Sequence, residues 1–231
     1  GPIISTELGR YVAPGSVLTV AANTPEFEAD IAGLALVNDN MTISHVVIDT
    51  SSRSALEALD IPSYDHVLVL GYSDHMSMQS ADTRTLITLL HLRKIAERAG
   101  IHINVVSEMT DVRNRELAEV TRADDFVVSN KLVSLMLAQA SENEFMAAIF
   151  DELLDVDGSE IYMRPMSDYV DISKPVNFFT VALSALRRGE IAIGHRRQRA
   201  GDADERNLGG VTVNPNRSEM LAYTDRDMVI V

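Results

Sequence analysis

The sequence has no cysteine, no apolar run long enough to cross a bilayer, and fewer basic than acidic residues. Without cysteine the chain has no disulfide bonds, no thiolate metal ligands and no cysteine nucleophile, which is compatible with a reducing cytosol. A membrane-spanning helix needs roughly 18 apolar residues, and the first residues lack the basic and apolar regions of a secretory signal. We therefore expect a water-soluble domain.

The shortage of basic residues limits the partners of the chain. Lysine and arginine number 20 against 34 aspartates and glutamates, which gives a net charge of −14. Nucleic acid needs a basic footprint for its phosphates, so nucleic-acid binding is not expected. Anionic membrane surfaces are also disfavoured, whereas cations and basic partners remain compatible with this charge. The alternative is that the charge serves solubility alone.

Apolar runs alternate with segments of helical periodicity through the first two thirds of the chain, which is typical of βαβ units with a parallel sheet. The predicted strands are 16–22, 45–49, 66–71, 103–107 and 126–129. The predicted helices are 3–12, 25–37, 52–59, 82–99 and 112–120, and the fourth of these ends at Gly100. The pattern predicts an α/β fold, a Rossmann-like doubly wound parallel sheet, in which the chain begins on a helix and the first strand is missing.

A long helix over 130–154, rich in Leu, Met, Ala and Phe, follows the last of these strands. A helix this apolar has to bury two faces, so we expect it to form the contact of a homo-oligomer. The alternative is a helix packed entirely inside its own fold. We place the domain boundary at 157/158, which gives an N-terminal lobe over 1–157 and a C-terminal lobe over 158–231.

The C-terminal lobe contains one helical segment and three short apolar segments. The helix is predicted at 178–188 and the strands at 190–195, 211–215 and 227–231. This order predicts a small α+β lobe.

The motifs of nucleotide binding are missing. A dinucleotide-binding fold carries G-x-G-x-x-G between its first strand and helix, and Gly9, Gly15 and Gly33 do not have this spacing. NAD binding by this chain is therefore not expected. Asp49 ends a predicted strand, where a ribose-binding acid would lie, although an exposed acid at a strand end is the alternative interpretation.

The sequence also lacks a recognisable catalytic site. Ser73, Asp74 and His75 are consecutive, whereas a catalytic triad converges from separate segments. No G-x-S-x-G surrounds Ser73, and the six histidines include no H-E-x-x-H pair. We therefore predict no catalytic residues and a protein that is not an enzyme.

Four acids lie where the predicted strands end. Asp82 begins a helix, Glu108 ends a strand, and Asp74 and Asp111 are close to them in sequence. Ligands of open α/β sheets bind at the carboxyl ends of the strands, and calcium binds to several converging oxygens. The four acids therefore form a candidate site for calcium or another cation. The alternative is that Asp82 caps its helix and Glu108 pairs with Arg113 or Arg84.

Several segments resemble those of the Castor/Pollux ion-channel family. The main ones are 64–71, 79–93, 106–108 and 125–134, and the shorter segments 158–161 and 188–194 extend the resemblance. The order of elements in the C-terminal lobe also resembles that of RCK domains, the cytosolic regulators of ion conductance. The resemblance implies an RCK-type domain that assembles into a ring beneath a pore and changes the shape of the ring when a ligand binds. In calcium-gated relatives, acids occupy the positions of Asp82 and Glu108, whereas a further acid of that site is Thr110 here.

These observations predict a cytosolic regulatory domain of an ion channel or ion-transport protein, lying at the cytoplasmic face of a membrane. Its expected partners are further copies of itself and the membrane pore segments of its parent protein. Two alternatives remain open: a soluble potassium-uptake regulator that has no pore of its own, and a nucleotide-dependent enzyme built on the same half-fold.

Overall fold

The computed structural model describes residues 2–23, 40–71, 76–114, 125–158, 160–197 and 210–231. The chain forms two compact units, Gly1–Ala148 and Ile149–Val231. The first unit is α/β with parallel strands and the second is a small antiparallel α+β unit. The domain boundary at 157/158 stays a prediction.

The strands described in the first unit form two parallel sheets. One sheet pairs β1 (Ser16–Ala22) with β2 (Met41–Val47), in a register that places Ser16 opposite Met41. The other has the order β3 (His66–Val69), β4 (Asn104–Met109) and β5 (Asp125–Val128). Strands rich in Val and Ile suit the interior of parallel sheets, because both faces of such a sheet are covered. The predicted α/β fold with parallel strands is confirmed.

Three helices with described boundaries belong to this unit. Helix α1 (Pro2–Tyr11) precedes β1, whereas α2 (Arg53–Ala58) and α3 (Met78–Ala99) lie between strands. Short 3-10 turns occupy Ile61–Ser63 and Val112–Asn114. The helix predicted at 25–37 and the part of the helix predicted at 112–120 that follows Asn114 lie outside the described residues.

Helix α3 begins four residues earlier than predicted. Ser77, in an extended conformation, is its N-cap and accepts a 3.3 Å hydrogen bond from the backbone N–H of Ser80. Serine is a favoured N-cap because its side-chain oxygen satisfies one of the first N–H groups of a helix. The interpretation of Asp82 as the N-cap is therefore wrong. Gly100 ends the helix with a φ of +65°, as its sequence position indicates.

The core of the first unit lies between α3 and the strands beside it. Its buried apolar residues are Leu56, Ile61, Val69, Leu89, Leu92, Ile95, Ile103 and Val105. Full burial of a leucine side chain contributes about 1.5–3 kcal/mol, so Leu89 and Leu92 are major contributors to the packing of α3. Leu90 of the same helix is 49% exposed, whereas Asp82 and Thr85 are buried.

The long helix predicted over 130–154 is two helices. Helix α4 (Ser129–Glu142) is followed by α5 (Met146–Leu154). Asn143 is extended, with φ −135° and ψ 121°, and Phe145 has a φ of +70°. Asparagine favours helix ends because its side chain competes for backbone hydrogen bonds, and a positive φ is incompatible with a continuous right-handed helix. The prediction of one continuous helix is therefore wrong.

The described residues of the second unit form six short antiparallel strands. Four of them form a sheet in the order β6 (Met163–Pro165), β11 (Met228–Ile230), β8 (Gly194–Arg196) and β9 (Val211–Val213). The other two, β7 (Val176–Asn177) and β10 (Met220–Leu221), pair with each other. A 3-10 turn at Met166–Asp168 follows β6.

Helix α6 (Phe178–Arg187) packs its apolar residues into the core of this unit. Its Phe178, Val181 and Ala185 are buried together with Met166 and Val229. Asn177 caps the helix and accepts a 3.0 Å hydrogen bond from the N–H of Thr180. The short helix and the antiparallel strands confirm the predicted α+β character.

The strand predicted at 190–195 is shorter than expected and begins at Gly194. The segment before it leaves α6 through a turn in which Glu190 N–H bonds to Ala185. A Cβ at Gly194 would lie 2.4 Å from the backbone oxygen of Thr212 on β9, so this close approach of two strands requires glycine.

Candidate functional site

The buried carboxylate of Asp82 is the centre of the predicted cation site. Asp82 lies in the second turn of α3 and is 1% exposed. Its Oδ1 accepts hydrogen bonds from the backbone N–H of Thr110 at 2.9 Å and from the Thr110 hydroxyl at 3.0 Å. Its Oδ2 accepts from the backbone N–H of Asp111 at 3.0 Å and from Asn114 Nδ2 at 2.7 Å. We call these four residues the Asp82 cluster.

The four donors account for the burial of a charged group. A carboxylate has about four lone-pair positions, and a buried charge has to be satisfied by hydrogen bonds or a counter-charge. The Asp82 cluster therefore ties the turn after β4 to the buried face of α3. A cation at Asp82 would have to displace at least one of these donors.

Asp111 contributes its backbone to Asp82 and its side chain to an arginine. Arg113 Nη2 lies 2.6 Å from Asp111 Oδ2, and Arg113 Nε bonds to the same carboxylate. The hydrogen bonds from Arg113 are the main cause that lowers the pKa of Asp111 below its usual value. The backbone N–H of Asp111 thus binds Asp82, whereas the Asp111 carboxylate binds Arg113.

Glu108 joins the carboxyl ends of two neighbouring strands. Its Oε2 accepts a 3.0 Å hydrogen bond from the backbone N–H of Gly71, which follows β3. The two arginines considered as alternative partners of Glu108 contact other acids, since Arg113 binds Asp111 and Arg84 binds Asp49. The link from Glu108 to Gly71 holds the ends of β3 and β4 together at the edge where ligands of such sheets bind.

The complete set of four predicted acids is not described, because Asp74 lies outside the described residues. Among the described residues, no group of three or more His, Cys, Asp or Glu side chains could hold a metal ion. Asp82, Glu108 and Asp111 bind separate partners on the same edge of the unit. The cation site at these residues stays a prediction.

Asp49, the predicted ribose-binding acid, forms an ion pair with helix α3. Arg84 Nη2 lies 2.5 Å from Asp49 Oδ1, and that oxygen also accepts from the N–H and hydroxyl of Ser51 at 3.0 and 2.7 Å. The hydrogen bonds from Ser51, with the arginine nearby, lower the pKa of Asp49. A cofactor role for Asp49 stays a prediction, and such a role would require the carboxylate to exchange Arg84 for a ligand.

An open cavity of about 420 Å³ lies beside this ion pair. It is lined by Ser51, Gln79, Ser80, Thr83, Arg84 and Ile87.

The second unit contains a buried polar pair that was not predicted from the sequence. The Tyr223 hydroxyl lies 3.1 Å from Nδ1 of His195, and His195 is 4% exposed. The rings of Phe178 and Tyr223 stand edge-on to the imidazole, with centroids 5.8 and 5.7 Å away. Burial lowers the pKa of His195, and the Arg197 charge acts in the same direction. Burial also raises the pKa of Tyr223 to about 12.

Three further members of the site, Thr110, Asn114 and Gly71, were not predicted from the sequence. Gly71 and Thr110 lie at or shortly after the ends of predicted strands, where backbone N–H groups and short polar side chains are typical, and this is the signal that could have identified them. Asn114 falls in a segment predicted as helix, and no such signal indicates it. The sequence indicates Thr110 only as a departure from the calcium-site pattern. In the structure its hydroxyl and N–H are the two donors to Asp82 Oδ1.

Comparisons with known proteins give ion channels as relatives. The chain is 30% identical over 223 residues to the "Probable ion channel CASTOR" of Oryza sativa subsp. japonica, covering 82% of this chain and 25% of the relative. It is 28% identical over 262 residues to the "Probable ion channel SYM8" of Pisum sativum, covering 97% of this chain and 28% of the relative. The chain spans about a quarter of the length of the curated relatives it matches. No family model matches the chain.

A solved structure shares the fold. The human SLO3 gating ring aligns with 99% of this chain and 42% of its own, with a TM-score of 0.65 and 10% sequence identity. The resemblance to the Castor/Pollux ion channels is confirmed by the sequence relatives, and the Rossmann-like fold by the structural one. None of the helices in the described residues is long and apolar enough to cross a membrane.

Proposed function

We propose that this chain is a cytosolic regulatory domain of an ion channel, which senses a ligand and transmits its binding to a membrane pore. The observation that carries the proposal is the match to proteins named as ion channels, which extends over 82–97% of the chain. The Rossmann-like fold supports it, because ligands of such folds bind at the strand ends. The names of the relatives favour this function over a nucleotide-dependent enzyme or a soluble potassium-uptake regulator.

The exposed apolar surface of α4 supports self-association. None of the 14 residues of this helix, all of them described, is buried. Leu132, Leu135 and Leu137 are each at least 50% exposed. Contiguous exposed apolar surface on a soluble domain is typical of a protein interface. We expect α4 to lie against another copy of the chain, as one contact of a ring-shaped oligomer.

The ligand of the proposed sensor is a cation at the strand-end acids. Asp82, Glu108 and Asp111 lie at the edge where β3 and β4 end, and the net charge of −14 favours cations over anions. Because four donors occupy the Asp82 carboxylate, a cation has to compete with the turn that supplies those donors. Cation binding would thereby be coupled to movement of the turn after β4, which is the coupling that a sensor requires.

A flux measurement tests the proposed function. The full-length protein that contains this chain is reconstituted into lipid vesicles, and potassium, sodium and calcium fluxes are measured across a series of free calcium concentrations. We expect an ion flux that depends on calcium. A version that lacks residues 1–231 should reach the membrane and lose that dependence. Absence of ion flux from the correctly inserted full-length protein would contradict the proposal.

A further inference from the structure

Methionine is the only sulfur-containing residue of this chain. There are ten methionines and no cysteine, so any reaction of a sulfur atom with an oxidant takes place at a thioether. The structure describes all ten, and three of them are exposed: Met78, Met163 and Met220, at 56%, 55% and 60%. Met109 and Met166 are completely buried. An oxidant dissolved in water therefore reaches the three exposed side chains first.

The sulfur of Met78 takes part in a hydrogen bond between two helices. Met78 is the first residue of α3, and its Sδ accepts a 3.7 Å hydrogen bond from Nδ2 of Asn130, the second residue of α4. Met163 and Met220 lie in β6 and β10 of the second unit, and within the described residues their sulfur atoms have no such donor. Met78 is therefore the exposed methionine at which oxidation changes a contact between helices.

The side chain of Asn130 joins three segments of the first unit. Its Nδ2 also donates a 3.3 Å hydrogen bond to the backbone oxygen of Thr110. The N–H and hydroxyl of Thr110 in turn bind the Asp82 carboxylate. Asn130 thereby links the start of α4 both to the start of α3, at Met78, and to the turn after β4.

Within the described part of the chain, the beginning of α4 has few other attachments. The Ser129 hydroxyl lies 3.5 Å from the backbone oxygen of Met109, which is long for a hydrogen bond. No residue of α4 is buried. Because so little surface is buried, the hydrogen bonds at its first residues contribute a large share of the attachment of this end of the helix.

We propose that Met78 is a site of reversible oxidation by peroxide, and that its sulfoxide draws Asn130 away from Thr110 and releases the start of α4 from the turn after β4. In the forward reaction the thioether sulfur attacks one oxygen of hydrogen peroxide and the O–O bond breaks. That oxygen stays on the sulfur, and its proton passes to the other oxygen, which leaves as water. The sulfur is oxidised by two electrons and the peroxide is reduced by two.

The reverse reaction needs a reductant from outside the chain, because the chain contains no cysteine. Methionine sulfoxide reductases return the thioether, with one enzyme for each of the two sulfoxide epimers. A dithiol supplies the two electrons and becomes a disulfide, and the sulfoxide oxygen leaves as water.

The oxygen that Met78 gains changes the acceptors available to Asn130. Oxidation converts a flexible apolar side chain into a polar one, and a thioether is only a weak acceptor. The bond from Asn130 to Thr110 is 3.3 Å long, beyond the usual range of about 2.7–3.2 Å, so a small movement of Nδ2 towards the sulfoxide breaks it. Asp82 keeps its donors, because Thr110 binds it through the N–H and hydroxyl and not through the carbonyl.

Peroxide treatment followed by peptide mass spectrometry and amide hydrogen exchange tests the proposal. Mass spectrometry locates the sulfoxides, and we expect Met78 to react together with Met163 and Met220 and before the buried methionines. Exchange in the first two turns of α4 should become about threefold to tenfold faster, the effect of losing one neutral hydrogen bond. Treatment with both reductases and dithiothreitol should restore the original exchange. The N–H groups of Thr110 and Asp111 serve as the internal reference, because their exchange should not change.

Two variants assign the effect to Met78. Met78→Leu keeps an apolar side chain of similar size that cannot be oxidised, so its α4 exchange should not respond to peroxide. Met220→Leu is the matched control and should keep the response of the unmodified chain. The side-chain amide signals of Asn130 in NMR spectra provide a second readout, because they should shift when Met78 is oxidised.

Three outcomes would overturn the proposal. The first is a Met78 that stays unoxidised while Met163 and Met220 react. The second is unchanged α4 exchange and unchanged Asn130 signals in protein that is oxidised at Met78. The third is a response that persists in Met78→Leu, which would assign the effect to another methionine. None of these measurements involves ion flux or calcium, so failure of the flux experiment would leave them unaffected.

Discussion

Asn114 Nδ2 lies 2.7 Å from Asp82 Oδ2 and thereby joins the turn after β4 to the buried face of α3. Together with the N–H groups of Thr110 and Asp111, this contact makes Asp82 a structural anchor as well as a candidate cation ligand. The two roles exclude each other at any one moment, because the same lone pairs serve both. This competition is the physical basis of the proposed sensing.

Replacing Asp82 by asparagine should destabilise the first unit. The amide group of Asn would face donors, so at least one buried N–H would lose its acceptor. Hydrogen bonds to a charged group contribute about 1.5–3 kcal/mol each, and we expect Asp82→Asn to lower the free energy of unfolding by about 2 kcal/mol or more. Urea denaturation monitored by circular dichroism measures this change in the free energy of unfolding.

Asp111→Asn is the matched control for that variant. It keeps the backbone N–H that binds Asp82 and changes only a partly exposed side chain paired with Arg113. We expect its unfolding midpoint to stay close to that of the unmodified protein. Equal losses in the two variants would show that the buried hydrogen bonds of Asp82 do not anchor the turn.

The stability of the second unit should fall as the pH drops below about 6.5, the ordinary pKa of histidine. Burial holds the pKa of His195 below that value in the folded state. As the pH falls, the unfolded chain therefore binds a proton that the folded chain does not, so acid favours unfolding. The loss should develop between the ordinary pKa and the lower pKa of the folded state. Denaturation at a series of pH values, from neutral to about one unit below the ordinary pKa, measures it.

The variant His195→Gln is the control for this pH dependence. Removing the imidazole should abolish most of the change in stability over that pH range, whatever its effect on stability at neutral pH. The histidine ring signals in NMR spectra provide a second readout, because His195 should titrate below the ordinary pKa of histidine. A His195 signal that titrates at or above this value would contradict the prediction.

A charge placed on α4 should disrupt self-association. Leu137 is 65% exposed and lies on a helix that has no buried residue. A buried carboxylate in an apolar interface is strongly unfavourable, so Leu137→Asp should shift sedimentation towards the monomer. Gln139→Asp adds the same charge two residues away in place of a polar side chain. If both variants sediment as the unmodified protein does, α4 is not the contact.

Calcium should bind to the strand-end acids and loosen the turn after β4. Calorimetric titration is expected to give a saturable signal with calcium that is weakened about tenfold or more in Glu108→Gln, because one coordinating oxygen is lost. Glutamine keeps an oxygen that can accept from Gly71, so the fold should be preserved. The N–H signals of Thr110 and Asp111 should shift during the titration. Saturable binding with unchanged affinity in Glu108→Gln would place the ion elsewhere.

Local sequence rules predicted the elements whose structure depends on nearby residues. The apolar run at 16–22 is a strand with those boundaries, and Gly100 ends α3 in the left-handed conformation that glycine favours. In both cases a few neighbouring residues determine the outcome.

The remaining features depend on contacts between segments far apart in sequence. Asp82 is buried because residues 28 to 32 positions later supply its donors, and an amphipathic pattern cannot reveal this. For the same reason, Thr85 and Thr88 of α3 are buried, whereas the more apolar Leu90 is 49% exposed. The helix break at Phe145 occurs in a segment whose composition favours helix on both sides.

Single-channel recording of the full-length protein in planar bilayers tests the central claim most directly. The open probability is compared between Leu137→Asp and Gln139→Asp across a range of calcium concentrations. We predict that Gln139→Asp keeps the calcium response of the unmodified channel, and that Leu137→Asp still conducts but loses most of this response. Equal calcium responses in both variants, or no conductance from the unmodified protein, would contradict the claim that this domain regulates a pore through contacts between its copies.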